Sequence, residues 1–447
     1  MHITSGNIES QSQENPSHNK SVYIFGAGVN RAIKIRYGVN RSATSPYVSP
    51  PLAMNFFSVA LNMAHGRLAE EFARPTFQTL SSYIERYWKK NISSLKISDF
   101  DLEECFTFLE LQLREAKENR DESNHQLLVD IEYLLKHLLN EVLSEFNDLL
   151  PPFLESDSNS KIERFGNCDS FKRLGEILYS EKPVVISFNW DDFIERAIEQ
   201  ASKRNSSTIS TTDKFKEQVS DEELGQSYWN WNRALGYGMK FDQTMMYDGG
   251  EGTKQKYFQG NRFYSNPDNN LYPWPLLKLY GSLNWFRYLP ATPISILTEN
   301  ELKKRFQEVE NSILPHEVLW VPIELPGSHP SLNNLYIDPI IITPILYKEK
   351  LFNDPLYSRI LTPLWKKAKV ALSNCKRLIV IGYSFPPTDF MTRKMFLEAF
   401  SDNKLEELTI VNPSENAIDK VKDLCHFKDP VTFKNLEDYL DSLKPNS

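Results

Sequence analysis

Hydrophobic positions along the chain form several short runs that each end abruptly in glycine or short polar residues. The runs are typical of short strands, and the run Pro183 to Phe188 is rich in β-branched residues, as strands buried on both faces are. They cover Ser21 to Phe25, Pro183 to Phe188, Pro275 to Tyr280, Ile340 to Leu346, Arg377 to Ile381 and Leu405 to Val411. Toward the end of the chain, strand, turn and helix patterns alternate, which indicates a parallel sheet with crossover helices. We therefore predict an α/β fold with a Rossmann-like parallel sheet.

A helical pattern replaces the strand pattern between Leu52 and about Glu155, where hydrophobic residues recur at three- and four-residue steps. These residues include Leu102, Phe106, Leu109, Leu113, Leu127, Ile131, Leu134, Leu135 and Leu138. Asp101, followed by Glu103 and Glu104, predicts the start of one helix, because acidic side chains favour the positive end of a helix dipole. The sheet is thus expected to carry a large helical insertion.

The domain organisation follows from these patterns. We predict one domain over residues 21–440, with the helical insertion at about 52–165 and a polar excursion at about 202–270 that contributes little core. Residues 1–20 are polar without an apolar period, and such a segment cannot offset the entropy of ordering, so we expect a disordered tail.

Charge and cysteine usage exclude several classes of protein. The net charge of −8 gives no global attraction to nucleic acid. Four widely separated cysteines, without a C-x-x-C pair or a preceding signal peptide, favour a reduced cytoplasmic protein. No apolar run reaches the length of about 18 residues that a membrane-spanning helix needs. Cys425 and His426 are the only Cys/His neighbours, so we expect no metal site and no zinc.

The first run ends in Gly26-Ala27-Gly28, and the residues after it can open a helix. Glycines between a strand and a helix N-terminus place backbone amides and the positive end of a helix dipole around one point, which suits a phosphate. A full dinucleotide fingerprint would have a third glycine where Arg31 stands. The alternative is a tight strand-to-helix turn without a ligand.

Short polar residues also follow the later runs. Asn189 and Asp191 come after Pro183 to Phe188, on the sheet edge where open α/β sheets bind ligands. The alternative is that Asp191 or Asp192 caps the next helix. The other turns at this edge are Tyr280-Gly281-Ser282, Gly382-Tyr383-Ser384 and Asn412-Pro413.

Taken in order, GAG, NWD, LYGSLNW and VIGYS resemble the turns of the sirtuin family, in particular the bacterial sirtuin-like domains of antiphage defence. The resemblance spans roughly Val22 to Ser414. It implies that Asn189 lies at the nicotinamide ribose and a reactive water, and that Asp191 contacts the nicotinamide amide. The GAG turn would hold the NAD pyrophosphate, and later turns would line the adenosine half. The cofactor-binding residues so implied are Gly26, Ala27, Gly28, Asn30, Arg31, Gly382, Ser384 and Asn412.

Two departures from the family bear on the chemistry. The chain lacks the paired cysteines of the zinc module that deacylating sirtuins carry, and Tyr280 stands where relatives have the histidine that serves as general base. A positioned base contributes about 10² to 10⁴ in rate, and a phenol with a pKa near 10 is a poor base at neutral pH. Hydrolysis, which chiefly needs a positioned water, survives this replacement better than deacylation does.

The resemblance implies an NAD hydrolase that releases nicotinamide and ADP-ribose and depletes NAD in antiphage defence, with Asn189, Asp191 and Tyr280 as its catalytic residues. The alternative is a non-catalytic sensor of NAD or ADP-ribose that controls a partner, and a protein deacylase is a third class. The partners so implied are further copies of the chain and a co-encoded ATPase or other defence protein, without a membrane or nucleic acid.

Overall fold

The computed structural model describes residues 21–36, 47–63, 67–149, 166–167, 169–206, 233–247, 255–259, 264–265, 271–288, 317–320, 336–342, 354–402 and 405–443. The predicted tail over residues 1–20 lies outside this part of the chain. The strands are β1 (Ser21–Phe25), β2 (Lys34–Arg36), β3 (Tyr47–Val48), β4 (Gly166–Asn167), β5 (Val184–Ser187), β6 (Gln243–Tyr247), β7 (Gln255–Gln259), β8 (Leu276–Lys278), β9 (Gly281–Tyr288), β10 (Glu317–Trp320), β11 (Tyr336–Ile341), β12 (Arg377–Ile381), β13 (Glu407–Val411) and β14 (Val431–Phe433).

The helices surround these strands, and two short 3-10 helices cover Ala27–Ala32 and Ala53–Asn55. The α-helices are α1 (Phe56–Asn62), α2 (Arg67–Ala73), α3 (Pro75–Trp88), α4 (Ile92–Ile97), α5 (Leu102–Glu118), α6 (Glu122–Leu149), α7 (Asp169–Glu181), α8 (Phe193–Ser206), α9 (Arg233–Gly236), α10 (Pro355–Asn374), α11 (Phe390–Phe400), α12 (Glu415–Cys425) and α13 (Leu436–Ser442).

The main sheet has six strands in the order β14-β13-β12-β1-β5-β8, and all neighbouring pairs are parallel. Numbered along the chain within this sheet and starting from β8, the order reads 3-2-1-4-5-6, which is the order of doubly wound dinucleotide-binding folds. The α/β prediction is confirmed. The strand order reverses between β1 and β12, and in such sheets the crevice at this reversal is where ligands bind.

Helices α1 to α6 occupy the region between β3 and β4, as the helical periodicity predicts. Asp101 caps α5, because its carboxylate accepts hydrogen bonds from the Glu103 and Glu104 amides. The insertion also reaches the loop before α11, where the Thr388 hydroxyl donates to the Glu103 carboxylate at 2.7 Å. The helical insertion therefore contacts the carboxyl edge of the main sheet.

A second sheet has the order β11-β9-β10-β6-β7. The sequence pattern did not predict its strand β9, because the hydrophobic pattern runs almost unbroken from β8 into it. Gly281, the first residue of β9, has a φ of +75°, a left-handed conformation that favours glycine. The chain turns there from the parallel sheet into the second one.

The polar stretch around β6 contributes more to the core than its composition indicates. Tyr237 and Phe241 are buried, and their rings meet Trp285 at centroid distances of 5.1 and 5.6 Å. The sequence did not single out these two residues, because isolated aromatic side chains in a polar segment give no periodic signal.

Candidate functional site

The turns that follow β1 and β12 pack directly against each other where the strand order reverses. The Gly26 amide donates to the Ile381 carbonyl at 3.0 Å, and the Gly28 amide donates to the Gly382 carbonyl at 2.9 Å. A Cβ atom on Gly28 would lie 2.7 Å from the Gly382 carbonyl oxygen, and Gly382 has a φ of +65°. Glycine is needed at these positions because the two backbones approach closely and one of them is left-handed.

The helix after β1 is the short 3-10 helix Ala27–Ala32. The Val29 amide donates back to the Gly26 carbonyl at 3.1 Å. Amides of this turn thus already donate hydrogen bonds to backbone carbonyls of the protein. So short a helix also has only a small dipole, and both features make the turn a weaker phosphate site than the sequence predicts. Ala27 and Arg31 are exposed on this element.

Asn30, also on this 3-10 helix, is buried and reaches the turn after β5. Its side-chain amide donates a hydrogen bond of 2.7 Å to Oδ2 of Asp191, which is buried as well. The sequence placed both residues in the site, and the structure brings them into contact. This bond joins the carboxyl ends of two neighbouring strands, β1 and β5.

Asp191 has a structural role in addition to its place in the site. Its Oδ1 accepts a hydrogen bond of 3.2 Å from the Phe193 amide at the start of α8, as the capping alternative predicts. Burial raises the pKa of Asp191 to about 6, an effect that Lys278 opposes and Glu195 reinforces, while the hydrogen bond from Asn30 lowers the pKa. The carboxylate is therefore held ionised at neutral pH against a desolvation cost.

Asn189 is the least satisfied of the predicted residues. Its side chain is 5% exposed, and neither Oδ1 nor Nδ2 has a hydrogen-bond partner among the described residues. Oδ1 of Asn30 is unpaired in the same sense. Buried polar groups are nearly always hydrogen-bonded, so an amide with both polar atoms unpaired is suited to a ligand or an ordered water.

Tyr280 is buried, and its hydroxyl lies 3.4 Å from Oγ1 of Thr392. The pKa of the phenol is raised well above its ordinary value, first by burial and then by the neighbouring Asp389 carboxylate, to which the phenol donates a hydrogen bond. The hydroxyl is therefore neutral and already engaged at neutral pH. It acts as a hydrogen-bond donor that ties the end of β8 to the start of α11, and it cannot serve as a general base.

A row of aromatic side chains, which the sequence did not single out, lies along the same edge. The ring of Phe188 meets Tyr280 at a centroid distance of 5.1 Å and stacks on Tyr383 at 4.3 Å, with 13° between the ring planes. Tyr383 also meets Phe385 at 4.5 Å. The sequence signal that could have found this row is an aromatic residue just after each of the strands β5 and β12.

The residues predicted for the adenosine half serve mainly the protein itself. The Asn412 amide donates to the Tyr383 carbonyl at 3.2 Å, and its oxygen accepts from the Ser414 amide at 3.0 Å. Gly382 forms the turn described above, and Ser384 is exposed. Asn412 therefore holds the turn in shape, and Ser384 is the side chain of this group that a nucleotide could reach.

A buried ion pair beneath the site was missed by sequence reasoning. The Lys278 ammonium group lies 2.8 Å from Oε1 of Glu195, and the two side chains are 0% and 1% exposed. Glu195 also accepts from the Tyr237 hydroxyl at 3.2 Å, and the Asn284 amide donates to that hydroxyl at 3.2 Å. The sequence feature that could have indicated this ion pair is a lysine, Lys278, inside the apolar run before Gly281.

No protein-family model matches the chain, and no curated protein matches it either. Within the described ranges, no helix combines the length and the hydrophobicity needed to cross a membrane. The same ranges contain no group of three or more His, Cys, Asp or Glu residues placed to hold a metal ion.

Proposed function

We propose that the chain binds NAD at the carboxyl ends of β1, β5 and β12 and hydrolyses the bond between nicotinamide and ribose. The products are nicotinamide and ADP-ribose. Support comes from the strand order 3-2-1-4-5-6, since folds of this order bind dinucleotides across the crevice where the order reverses. The resemblance to sirtuin-like defence domains points to the same ligand and to NAD depletion in antiphage defence.

The observation that carries the proposal is the buried amide of Asn189, whose polar atoms have no hydrogen-bond partner in the part of the chain that the structure describes. A primary amide offers two N–H donors and an acceptor oxygen, so it can hold a water and a ribose hydroxyl together. When a water molecule is already held beside the scissile bond, the reaction loses less translational and rotational entropy on reaching the transition state. This entropy loss is a large part of the barrier to hydrolysis. Asp191, fixed by Asn30, adds a carboxylate beside this amide.

Tyr280 limits the rate in this proposal. Because the phenol is engaged with Asp389, no base from this position activates the water. The missing contribution is about 10² to 10⁴ in rate. We therefore expect slow hydrolysis that relies on positioning and on the electrostatic field of the site.

The same residue favours a second candidate function, a sensor that binds NAD or ADP-ribose without cleaving it. A site whose family base is replaced by a buried, hydrogen-bonded phenol can keep its affinity and lose its chemistry. In this case the bound nucleotide would control a partner, such as the co-encoded defence protein that the resemblance implies.

Nicotinamide release tests the proposal. Wild type, Asn189→Leu and the control Asn416→Leu, whose residue is exposed on α12, are each incubated with NAD, and free nicotinamide is measured by chromatography. We expect release by wild type and the control, and loss of release in Asn189→Leu. Release that is unaffected by Asn189→Leu would contradict the proposal. Binding of NAD by wild type without any release would favour the sensor.

A further inference from the structure

The ammonium group of Lys278 lies directly beneath the turn that carries Asn189 and Asp191. It donates to Oε1 of Glu195 at 2.8 Å, to the backbone carbonyl of Asp191, and to the backbone carbonyl of Trp190 at 3.5 Å. An ammonium group has three hydrogens to donate, so all of them have an acceptor here. Lys278 is 0% exposed, and its bonds fix the backbone between the two site residues.

The turn is held on the same side by β9. The Trp190 carbonyl also accepts from the Leu283 amide at 3.0 Å and from the Ser282 hydroxyl at 3.2 Å. The carbonyls of the turn are thus bound by β8 and β9, while the Asp191 side chain reaches Asn30 beyond β5. Lys278, Ser282 and Leu283 therefore hold the backbone of the turn together.

The charge of Lys278 acts on Asp191 as well. The charged and polar groups that face Asp191 are Lys278 from β8, Glu195 and the Phe193 amide from α8, and Asn30 from the 3-10 helix. Lys278 favours the ionised carboxylate more strongly than Glu195 disfavours it. A fully buried ion pair costs desolvation energy that an apolar pair would not, so its presence under this turn calls for a reason other than stability.

We propose that Lys278 is a positioning residue of the site. Its ammonium group orients Asn189 and Asp191 by binding Glu195 and the backbone carbonyls of Trp190 and Asp191. The inference rests on the proposed function, because it assigns Lys278 to the same NAD site. A purely structural lysine would support the fold but would leave the pH dependence of ligand binding unchanged.

The test uses two substitutions that remove opposite charges. Lys278→Met keeps the length of the side chain and removes its positive charge, while Glu195→Gln keeps the acceptor for Lys278 and removes the negative charge. NAD affinity of each variant and of wild type is measured by calorimetry between pH 5 and 9. We expect the acid limb, which is the low-pH range over which NAD affinity is lost, to move to higher pH in Lys278→Met and to lower pH in Glu195→Gln. At pH 7 the affinity of Lys278→Met should fall about tenfold or more and recover in part at higher pH.

Lys278→Met leaves Glu195 buried without its cation, which can prevent folding. The double variant Lys278→Met/Glu195→Gln removes both charges and keeps the site testable, and its acid limb should also move to higher pH because the effect of Lys278 is the larger one. The proposal would be overturned if Glu195→Gln and the double variant both lost NAD affinity over the same low-pH range as wild type.

A readout without ligand separates this inference from the proposed function. Hydrogen exchange of the backbone over residues 188–192 is compared between wild type and the double variant, with residues 415–425 of α12 as the internal control. We expect exchange over 188–192 to be at least about tenfold faster in the double variant and unchanged in α12. Unchanged exchange over 188–192 would overturn the positioning role. If wild type binds no NAD at any pH, the proposed function fails, and the exchange result alone decides the role of Lys278.

Discussion

The amide of Asn30 donates a 2.7 Å hydrogen bond to the carboxylate of Asp191, and this bond joins two turns that are 161 residues apart in the chain. Between them lies the helical insertion. The contact joins the end of β1 to the turn after β5, two residues beyond Asn189 in the chain. The candidate site is therefore assembled from segments on both sides of the insertion.

The raised pKa of Asp191 makes a prediction about stability. An acid whose pKa is higher in the folded chain, here about 6 against 3.8, binds more protons when folded, so stability falls as the pH rises through this interval and stays reduced above it. Replacing Asp191 with Asn removes the ionisable group and keeps an acceptor for the Phe193 amide. The new NH₂ group faces Asn30, which can turn its own side-chain oxygen toward it to keep a hydrogen bond. We expect Asp191→Asn to stabilise the chain at pH 7.5 by up to about 3 kcal/mol and to bind NAD more weakly.

Denaturant unfolding at pH 4.5 and 7.5 checks this prediction. The control is Asp419→Asn, because Asp419 is an exposed residue on α12. We expect the gain in the free energy of unfolding to be present at pH 7.5, to shrink at pH 4.5, and to be absent from the control. An Asp191→Asn chain that is less stable at pH 7.5 would show that the carboxylate stabilises the fold and that burial does not strain it.

A second prediction concerns the close approach of the β1 and β12 turns. Gly28→Ala would place a methyl group 2.7 Å from the Gly382 carbonyl oxygen, and overpacking of this kind costs about 1 to 3 kcal/mol. We expect a lower melting temperature, whereas Ala27→Ser, at an exposed position, should melt like wild type. If Gly28→Ala is fully stable, the two turns are looser than the structure shows. Lost NAD affinity in this variant would not by itself identify a phosphate contact.

The third prediction concerns Tyr280. Tyr280→His introduces a side chain that can act as a base next to Asp389, so nicotinamide release should rise by up to about 10² to 10⁴. Tyr280→Phe keeps the packing against Phe188 and removes the donor, so it should lower whatever release occurs and cost about 1 kcal/mol of stability. Release by the three proteins is measured side by side. If Tyr280→His binds NAD but stays inactive, the result favours the sensor over the hydrolase.

Local patterns were sufficient for the elements of the sheet but not for the contacts between them. The strands Ser21–Phe25 and Arg377–Ile381 have the bounds that the sequence predicts, because hydrophobic runs and turn residues act within a few positions. The run Pro183 to Phe188 placed Asn189 and Asp191 at the carboxyl edge of the sheet, and the resemblance to sirtuin-like domains supplied their expected roles. Their actual surroundings depend on side chains from distant segments.

The burial of Lys278 and the engagement of Tyr280 with α11 show what could not be predicted. Lys278 meets Glu195, which is 83 residues away, and Tyr280 meets Thr392, which is 112 residues away. No periodicity along the chain encodes such pairs, since they arise only once the strands are ordered in the sheet. For the same reason the sequence showed the glycines of the first turn but not that the Gly28 amide is already bonded to Gly382.

Calorimetric titration of NAD into wild type and Asn189→Leu tests the central claim most directly, namely that the unpaired amide at the end of β5 contacts the nucleotide. Leu is close to Asn in size, so the fold should persist, and equal melting temperatures of the two proteins check this. We predict that wild type binds NAD and that Asn189→Leu binds it at least about tenfold more weakly, since a lost hydrogen-bonding pair costs this much or more. Equal affinities of the two proteins, or no binding by wild type, would contradict the claim.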